Sequence, residues 1–189
     1  MDRCLTPADA ASLGAMTIEV VPNPPLAADL SRLCALLAAC VRAGASVGFM
    51  EPLAPGEVEA YWQTALRGAA EGGRLILVAR EAPGGAVAGS AQLALESRAN
   101  GRHRAEVQKV MVFPGLRRRG IAAALMAAVE AEARARKVSL LFLDTSDGRG
   151  GAREFYAAIG YTYVGGIPGY ARDPDGTPAR NAIYYKALT

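Results

Sequence analysis

Cysteine, histidine and tryptophan are scarce in this chain of 189 residues, which holds 3 Cys, 1 His and 1 Trp. Cys4, Cys34 and Cys40 are too few and too unevenly placed for a disulfide framework, and their spacing is not that of metal ligands. An excess of one charge is also missing: 21 Lys and Arg stand against 18 Asp and Glu, a net charge of +3. With 21% charged and 51% hydrophobic residues, the composition excludes a disordered chain and argues against a nucleic-acid partner recruited by overall charge. No long hydrophobic run occurs either. The strongest, Leu33 to Val41, falls far short of the roughly 20 residues that span a bilayer. Residues 1–15 carry acids and a proline with no apolar segment, so a loose extension is expected there rather than a signal peptide. What remains is a chain of one domain's length (16–189) with ample material for a core. A soluble cytoplasmic protein without a membrane partner is the expectation.

Hydrophobic periodicity predicts the order βααβββαβαββ, a mixed α/β layer structure without repeats or linker. A first strand is expected at Met16–Val21, before a break at Pro22, Pro24 and Pro25. Leu26–Val41 is apolar almost all round and reads as a buried helix, and Glu57–Arg67 as a more polar one. Arg74–Arg80 and Val87–Leu95 flank the turn Pro83-Gly84-Gly85 as a hairpin, and Arg104–Phe113 forms the next strand. Gly120–Lys137 places Ile121, Leu125, Ala128 and Val129 on one helical face, with Lys137 as a favourable terminal cation. Val138–Leu143 is a continuous apolar strand, Gly151–Ile159 a last helix, and Tyr161–Val164 and Ile183–Lys186 the closing strands.

Two short motifs fail on context. Gly44-Ala45-Ser46-Val47-Gly48 fits a nucleophile elbow, but a helix precedes it and no aspartate lies between Ser46 and His103. Gly148-Arg149-Gly150-Gly151 starts like a dinucleotide fingerprint, yet Arg153 occupies its third glycine position. A third motif holds. Arg117-Arg118-Arg119-Gly120-Ile121-Ala122 joins a strand to a helix through a glycine, which leaves backbone N–H groups free at a positive helix terminus. Seven Lys or Arg lie between Arg98 and Arg119 against one acid, Glu106. This is an anion cradle suited to a diphosphate, or else a solvated basic turn.

That R-x-x-G-x-A stretch, after Val107-Gln108-Lys109-Val110-Met111-Val112, resembles the acetyl-CoA signature of the GCN5-related N-acetyltransferases. Phe155-Tyr156-Ala157-Ala158-Ile159-Gly160-Tyr161 is similar to that family's second signature, and the element order fits from Met16 to Leu188. Gly44 to Met50, Arg104 to Lys109 and Pro168-Gly169-Tyr170 further resemble the tabtoxin-resistance branch, whose name points to a β-lactam antimetabolite and antibiotic resistance. The resemblance implies a mixed, mostly antiparallel sheet of six or seven strands with about four helices. It implies acetyl-CoA as co-substrate, no metal, and a monomer or homodimer. It places the pantetheine arm along Val110, Met111 and Val112, and the pyrophosphate on Arg117, Arg118, Arg119, Gly120, Ile121 and Ala122. Thr145 and Phe155 join the cofactor site, and Tyr156 takes the position that protonates the departing thiolate. Many members carry an asparagine where Arg149 stands, which removes one side-chain contact to pantetheine.

Acetyl transfer needs a neutral amine. At pH 7 fewer than about one alkylamine in a thousand is neutral, a cost of roughly 4–5 kcal/mol, so a carboxylate base is useful. Glu106 and Asp144 are the candidates, one as base and one as orienter of the ammonium. Glu106 otherwise pairs with Arg104 or a neighbouring strand, and Asp144 otherwise caps a turn with Thr145. His103, between Arg102 and Arg104, reads as a surface residue. No cysteine occupies a motif position, so direct transfer is expected. Ser46, Phe49 and Met50 in the early loop, and Tyr170 and Asp173 in the late excursion, are candidate contacts to a small-molecule amine, or members of plain connecting loops. Acetylation of a protein lysine or N-terminus and a non-catalytic acyl-CoA sensor are the competing functions.

Overall fold

The computed structural model describes residues 16–22, 27–147 and 151–188. The expected extension over 1–15, Cys4, Pro24, Pro25 and Arg149 lie outside those residues. Strand β1 (Thr17–Val20) precedes helices α1 (Ala27–Arg42) and α2 (Glu57–Ala70). Three strands follow, β2 (Arg74–Arg80), β3 (Val87–Leu95) and β4 (Arg104–Val112). A 3₁₀ turn at Pro114–Leu116 leads into α3 (Ile121–Ala135), then β5 (Leu140–Ser146) and α4 (Ala152–Ala158). The chain ends with β6 (Thr162–Gly165), the short β7 (Ala171–Arg172) and β8 (Pro178–Ala179), and β9 (Asn181–Ala187). Seven strands form one mixed sheet in the order β1-β2-β3-β4-β5-β9-β6, and β7 pairs with β8 apart from it. Every neighbouring pair in the large sheet is antiparallel except β4 with β5.

The unbroken apolar run of β2 is explained by the cover on both of its faces. Leu75, Leu77 and Ala79 join Leu125 and Val129 of α3 in one hydrophobic cluster. Ile76 and Val78, on the alternate face, join Leu33, Leu37 and Trp62 of α1 and α2 in another. Each such side chain taken from water contributes about 1.5–3 kcal/mol.

Three expectations need correction. Helix α1 is one-sided: Leu33, Leu36, Leu37, Cys40 and Val41 are buried, whereas Ala28, Ser31 and Ala35 are exposed. Alanine's small apolar surface loses little in water, so an apolar composition did not mean burial all round. Lys137 lies outside α3, in a left-handed conformation at φ 60°, and the Val138 N–H closes back on the Ala133 carbonyl at 3.0 Å. Strand β5 begins at Leu140 and continues to Ser146 because its ladder with β9 runs on to Asn181.

One polar contact sits inside the packed layers. Arg80, 5% exposed, donates from Nη1 and Nη2 to both carboxylate oxygens of Asp29, 3% exposed, at 2.9 and 2.8 Å. Its Nε meets Glu19 of β1, so the pair fastens α1 and the edge strand to β2. Asp29→Ala would leave the buried guanidinium with only Glu19 and the Gly85 carbonyl at 3.0 Å and should destabilise by up to about 3–5 kcal/mol in urea unfolding. Glu132→Ala breaks an i,i+4 pair with Arg136 at the surface of α3 and should cost under about 0.5 kcal/mol. Equal losses would show that the Arg80 contact is not a fold-bearing one.

Candidate active site

Strands β4 and β5 pair only at their first residues, Arg104 with Leu140, Ala105 with Leu141 and Glu106 with Phe142. Beyond Glu106 they part. Ala91 of β3 stands opposite two residues of β4, Lys109 and Val110, in a β-bulge. Lys109 there has φ 50°, a left-handed conformation uncommon for a residue with a Cβ. The bulge bends β4, while β5 keeps its ladder with β9 through Ser146. The edge of Val110–Val112 turned from β3 therefore faces no strand among the described residues and can pair with an extended ligand. Cys40 Sγ reaches the Val112 carbonyl at 3.5 Å. Burial pushes the Cys40 thiol up, against the hydrogen bond from Arg117, so it is a poor nucleophile at neutral pH.

At the open end of this gap, the link to α3 curls into an anion cradle. Arg118 at φ 64° and Gly120 at φ 77° are both left-handed, a geometry that gathers successive N–H groups in a concave nest. Among the described residues no side chain caps α3, and its first turn has no acid. The first N–H groups of the helix stay free, and the exposed Arg117, Arg118 and Arg119 add positive charge.

The sheet face toward α1 and α2 carries a row of polar groups. Arg74 is opposite Ala94, Ala94 opposite Glu106, and Gln92 opposite Gln108, so strand alternation puts these side chains on one face. Arg74 Nη1 donates to the side-chain oxygens of Gln92 and Gln108, the latter at 3.1 Å. The Tyr61 hydroxyl of α2 donates to Gln92 at 3.1 Å, and Gln108 Nε2 donates to Glu106 Oε2 at 2.7 Å. Lys109 Nζ lies 5.2 Å from the centre of the Tyr61 ring. Burial, seconded by Arg74, pushes the Lys109 ammonium below the usual lysine range, with Glu106 and Asp144 acting the other way. Asp144 is exposed on β5 and accepts from Asn181 Nδ2 at 3.4 Å, while Asn181 Oδ1 accepts from the Ile167 N–H at 2.8 Å. A cavity of about 320 Å³ shares Tyr61 and Arg74 with the row but includes neither carboxylate, so it borders the site.

The residues expected for cofactor binding and thiolate protonation fall largely on the opposite face. Val112, Ile121 and Tyr156 belong to the cluster under α3, with Val110, Ala122 and Phe155 packed against it. Met111 alone points into the cluster of α1 and α2, and Thr145 is half-buried on β5. Tyr156 is 7% exposed among Phe155, Tyr161 and Tyr184, at ring separations of 5.1, 5.8 and 5.3 Å. Burial first, then Tyr184 and Asp144, push its phenol well above the usual range, so it keeps its proton.

The loop residues are divided. Phe49 is buried and meets the row through an edge-to-face contact with Tyr61 at 5.4 Å. Ser46 is half-buried and Met50 exposed. Tyr170 is exposed beside the β7–β8 hairpin, and Asp173 sits in its turn. The two loops meet where the Glu51 N–H donates to the Pro174 carbonyl at 3.0 Å. Glu106 is held by Gln108, while Arg104 pairs with Glu96 instead. His103 is exposed before the start of β4, at the end away from the gap, and its carbonyl takes the Ser139 N–H at 2.8 Å.

The model of the acetyltransferase (GNAT) family matches residues 40–161, which covers α2, the polar row from Arg74 to Asp144, the gap and the cradle. The chain belongs to the GNAT family. An N-acetyltransferase encoded in the hisH-hisA intergenic region of Azospirillum brasilense is 36% identical to this GNAT chain over 121 residues, 63% of this chain and 69% of that protein. Ribosomal-protein-alanine N-acetyltransferase from Brucella melitensis superposes with a TM-score of 0.74 at 25% identity, covering 91% of this chain and 99% of that one. The yncA acetyltransferase structure from Salmonella typhimurium, which holds its cofactor acetyl-CoA, superposes with a TM-score of 0.75 at 18% identity, covering 93% and 95%. The fold is the GNAT fold, and the protein is an N-acetyltransferase. Among the described residues no group of His, Cys, Asp and Glu is arranged to hold a metal, and no helix is long and apolar enough to cross a membrane.

Sequence reasoning gave no site role to Tyr61, Arg74, Gln92 and Asn181 in this GNAT site, and used Gln108 and Lys109 only in the family and branch resemblances and, for Lys109, a charge count. Their signal was available in part: Gln92 and Gln108 are polar residues set among the apolar positions of two expected strands. Lys109 also generates a pH test. Its lowered folded value means that the unfolded chain binds more protons up to the ordinary lysine value of about 10.4, so this group's contribution to stability rises with pH across that window. Lys109→Met should therefore stabilise the unliganded protein at pH 7, with the gain shrinking as pH approaches that value in urea unfolding. A gain independent of pH would disprove the assignment.

Proposed function

We propose that this enzyme moves the acetyl group of acetyl-CoA directly to a primary amine of a small molecule, with residues 16–189 acting as one catalytic domain. The observation that carries the reading is the strand gap beyond Glu106, which opens directly toward the uncapped amides before α3. Acetyl-CoA fits what the chain offers there: an open strand edge for an amide-bearing arm and a positive nest for a diphosphate. Bound there, it supplies an activated thioester carbonyl for the amine to attack. Val110, Met111 and Val112 offer backbone N–H and C=O groups to the pantetheine, flanked by Thr145 and Phe155. The N–H groups from Arg117 to Ala122 take the pyrophosphate, and Gly120 leaves room that a Cβ would occupy.

Glu106 removes the proton from the acceptor ammonium, directly or through water. Its Oε2 is held by Gln108, and Oε1 has no hydrogen bond among the described residues. Asp144, positioned by Asn181, orients the ammonium. Tyr156 stays protonated and donates to the departing thiolate. The site works chiefly by holding amine and thioester together, a contribution that reaches several kcal/mol in well-oriented reactions.

The contact between Glu51 and Pro174 joins the early and late loops, which favours a lidded pocket over the open groove that a protein substrate needs. Ser46, Met50, Tyr170 and Asp173 border this pocket, and Phe49 shapes it through Tyr61. The resemblance of Gly44 to Met50, Arg104 to Lys109 and Pro168-Gly169-Tyr170 to the tabtoxin-resistance branch makes a β-lactam antimetabolite an acceptor to try first. Glu106→Gln should lower kcat by about 10²- to 10⁴-fold while acetyl-CoA binding persists, and Asp144→Asn should act mainly on the acceptor KM. Free CoA and acetylated amine detected by mass spectrometry check this. A protein with no turnover before substitution is a sensor, and acetylation confined to a peptide N-terminus or lysine identifies a protein acetyltransferase.

A further inference from the structure

Two cations on the acceptor face make no ion pair within 4.0 Å among the described residues. Arg80, Arg98, Arg104, Arg134, Arg136, Arg180 and Lys186 each have a carboxylate within 4.0 Å. Arg74 and Lys109, both half-buried, have none among the described residues. Arg74 is nevertheless fastened, since two neutral glutamine oxygens take its Nη1 and hold the guanidinium in place without cancelling its charge. Lys109 is aimed by the bulge onto the Tyr61 ring, beneath the early loop, where a Cβ on Gly48 would lie 3.6 Å from its Nζ. A partly desolvated cation without a partner is costly, and an arrangement that aims two of them at one face is satisfied by an anion from outside.

We infer that Arg74 and Lys109 hold an acid group on the acceptor, so that the substrate is an amine bearing a carboxylate or comparable acid, of the amino-acid class. The inference rests on the acetyl-transfer reading above and names the acceptor for that same site. Glu106 and Asp144 share the face with the two cations, so negative charge awaits the ammonium and positive charge the acid. Arg74, Glu106 and Asp144 all act electrostatically on Lys109, so charges of both signs belong to one neighbourhood of the sheet. The cavity beside Tyr61 and Arg74 gives room for the remainder of such a molecule.

The test compares L-amino acids with the amines left by removing their carboxylate, such as phenylalanine with phenethylamine and lysine with cadaverine. The acid-bearing member should be favoured in kcat/KM on the order of 10- to 100-fold, the worth of a charge-assisted hydrogen bond. Arg74→Met and Lys109→Met should each shrink that ratio, chiefly through the acceptor KM, and Lys109→Arg should restore part of it. Thermal melting and acetyl-CoA binding of each variant separate a lost contact from a lost fold. Equal turnover of both members, a preference that survives both substitutions, or acetyl-CoA binding without turnover of any acid-bearing amine overturns the inference while the cofactor assignment stands. Absence of acetyl-CoA binding by the unaltered protein overturns the reading beneath it.

Discussion

Strand β4 answers to two neighbours that it cannot follow together. Its ladder with β3 continues past the bulge at Lys109, whereas β5 is tied to β9 along its whole length. Once β4 bends, the parallel pairing with β5 cannot extend beyond Glu106. That one mismatch sets the rest of the site in place. It frees the edge of Val110–Val112, leaves Glu106 at the last paired position, directs Lys109 toward α2, and carries the chain to the nest before α3. The strain of a left-handed lysine is maintained because ladders on both sides of the bulge hold it there.

The sequence was legible where local chemistry sets an element's limits. Strands β2 and β3 begin and end where expected, since Gly72-Gly73 and Pro83-Gly84-Gly85 bracket apolar runs that are buried on both faces. The cradle was readable because a glycine between strand and helix has a direct backbone consequence. Legibility fell where a partner far along the chain decides. The extra residues of β5, Asp144 to Ser146, are strand only because β9 lies beside them. The pair β7–β8 hides in a proline- and glycine-rich stretch and depends on its own turn. The left-handed turns at Lys109 and Lys137 use a residue type with no preference for that conformation, so nothing local announced them. Tyr61, Arg74 and Gln92 form a group only after α2 is laid on the sheet.

Positive charge serves this enzyme in two physically different ways. Arg117, Arg118 and Arg119 stand in water, where their attraction is long in reach and weakened by salt. Arg74 and Lys109 are half-buried, fixed by glutamine and tyrosine neighbours, and act over short distances with less screening. Tyr156 illustrates the same principle with a neutral group. Its aromatic surroundings suppress ionisation and leave a phenol with its proton available.

The two hydrophobic clusters have a consequence for how such a protein can change over time. The groups proposed to hold the cofactor lean mainly on the cluster under α3, and those facing the acceptor lean on the cluster of α1 and α2. The sheet is the partition between them, and alternate residues of each strand answer to different sides. Substitutions that reshape one compartment therefore leave the packing of the other intact, provided the strands keep their register. Such a molecule can exchange one amine for another by drift in α1, α2 and their connecting loop, with the acyl-donor half inherited unchanged.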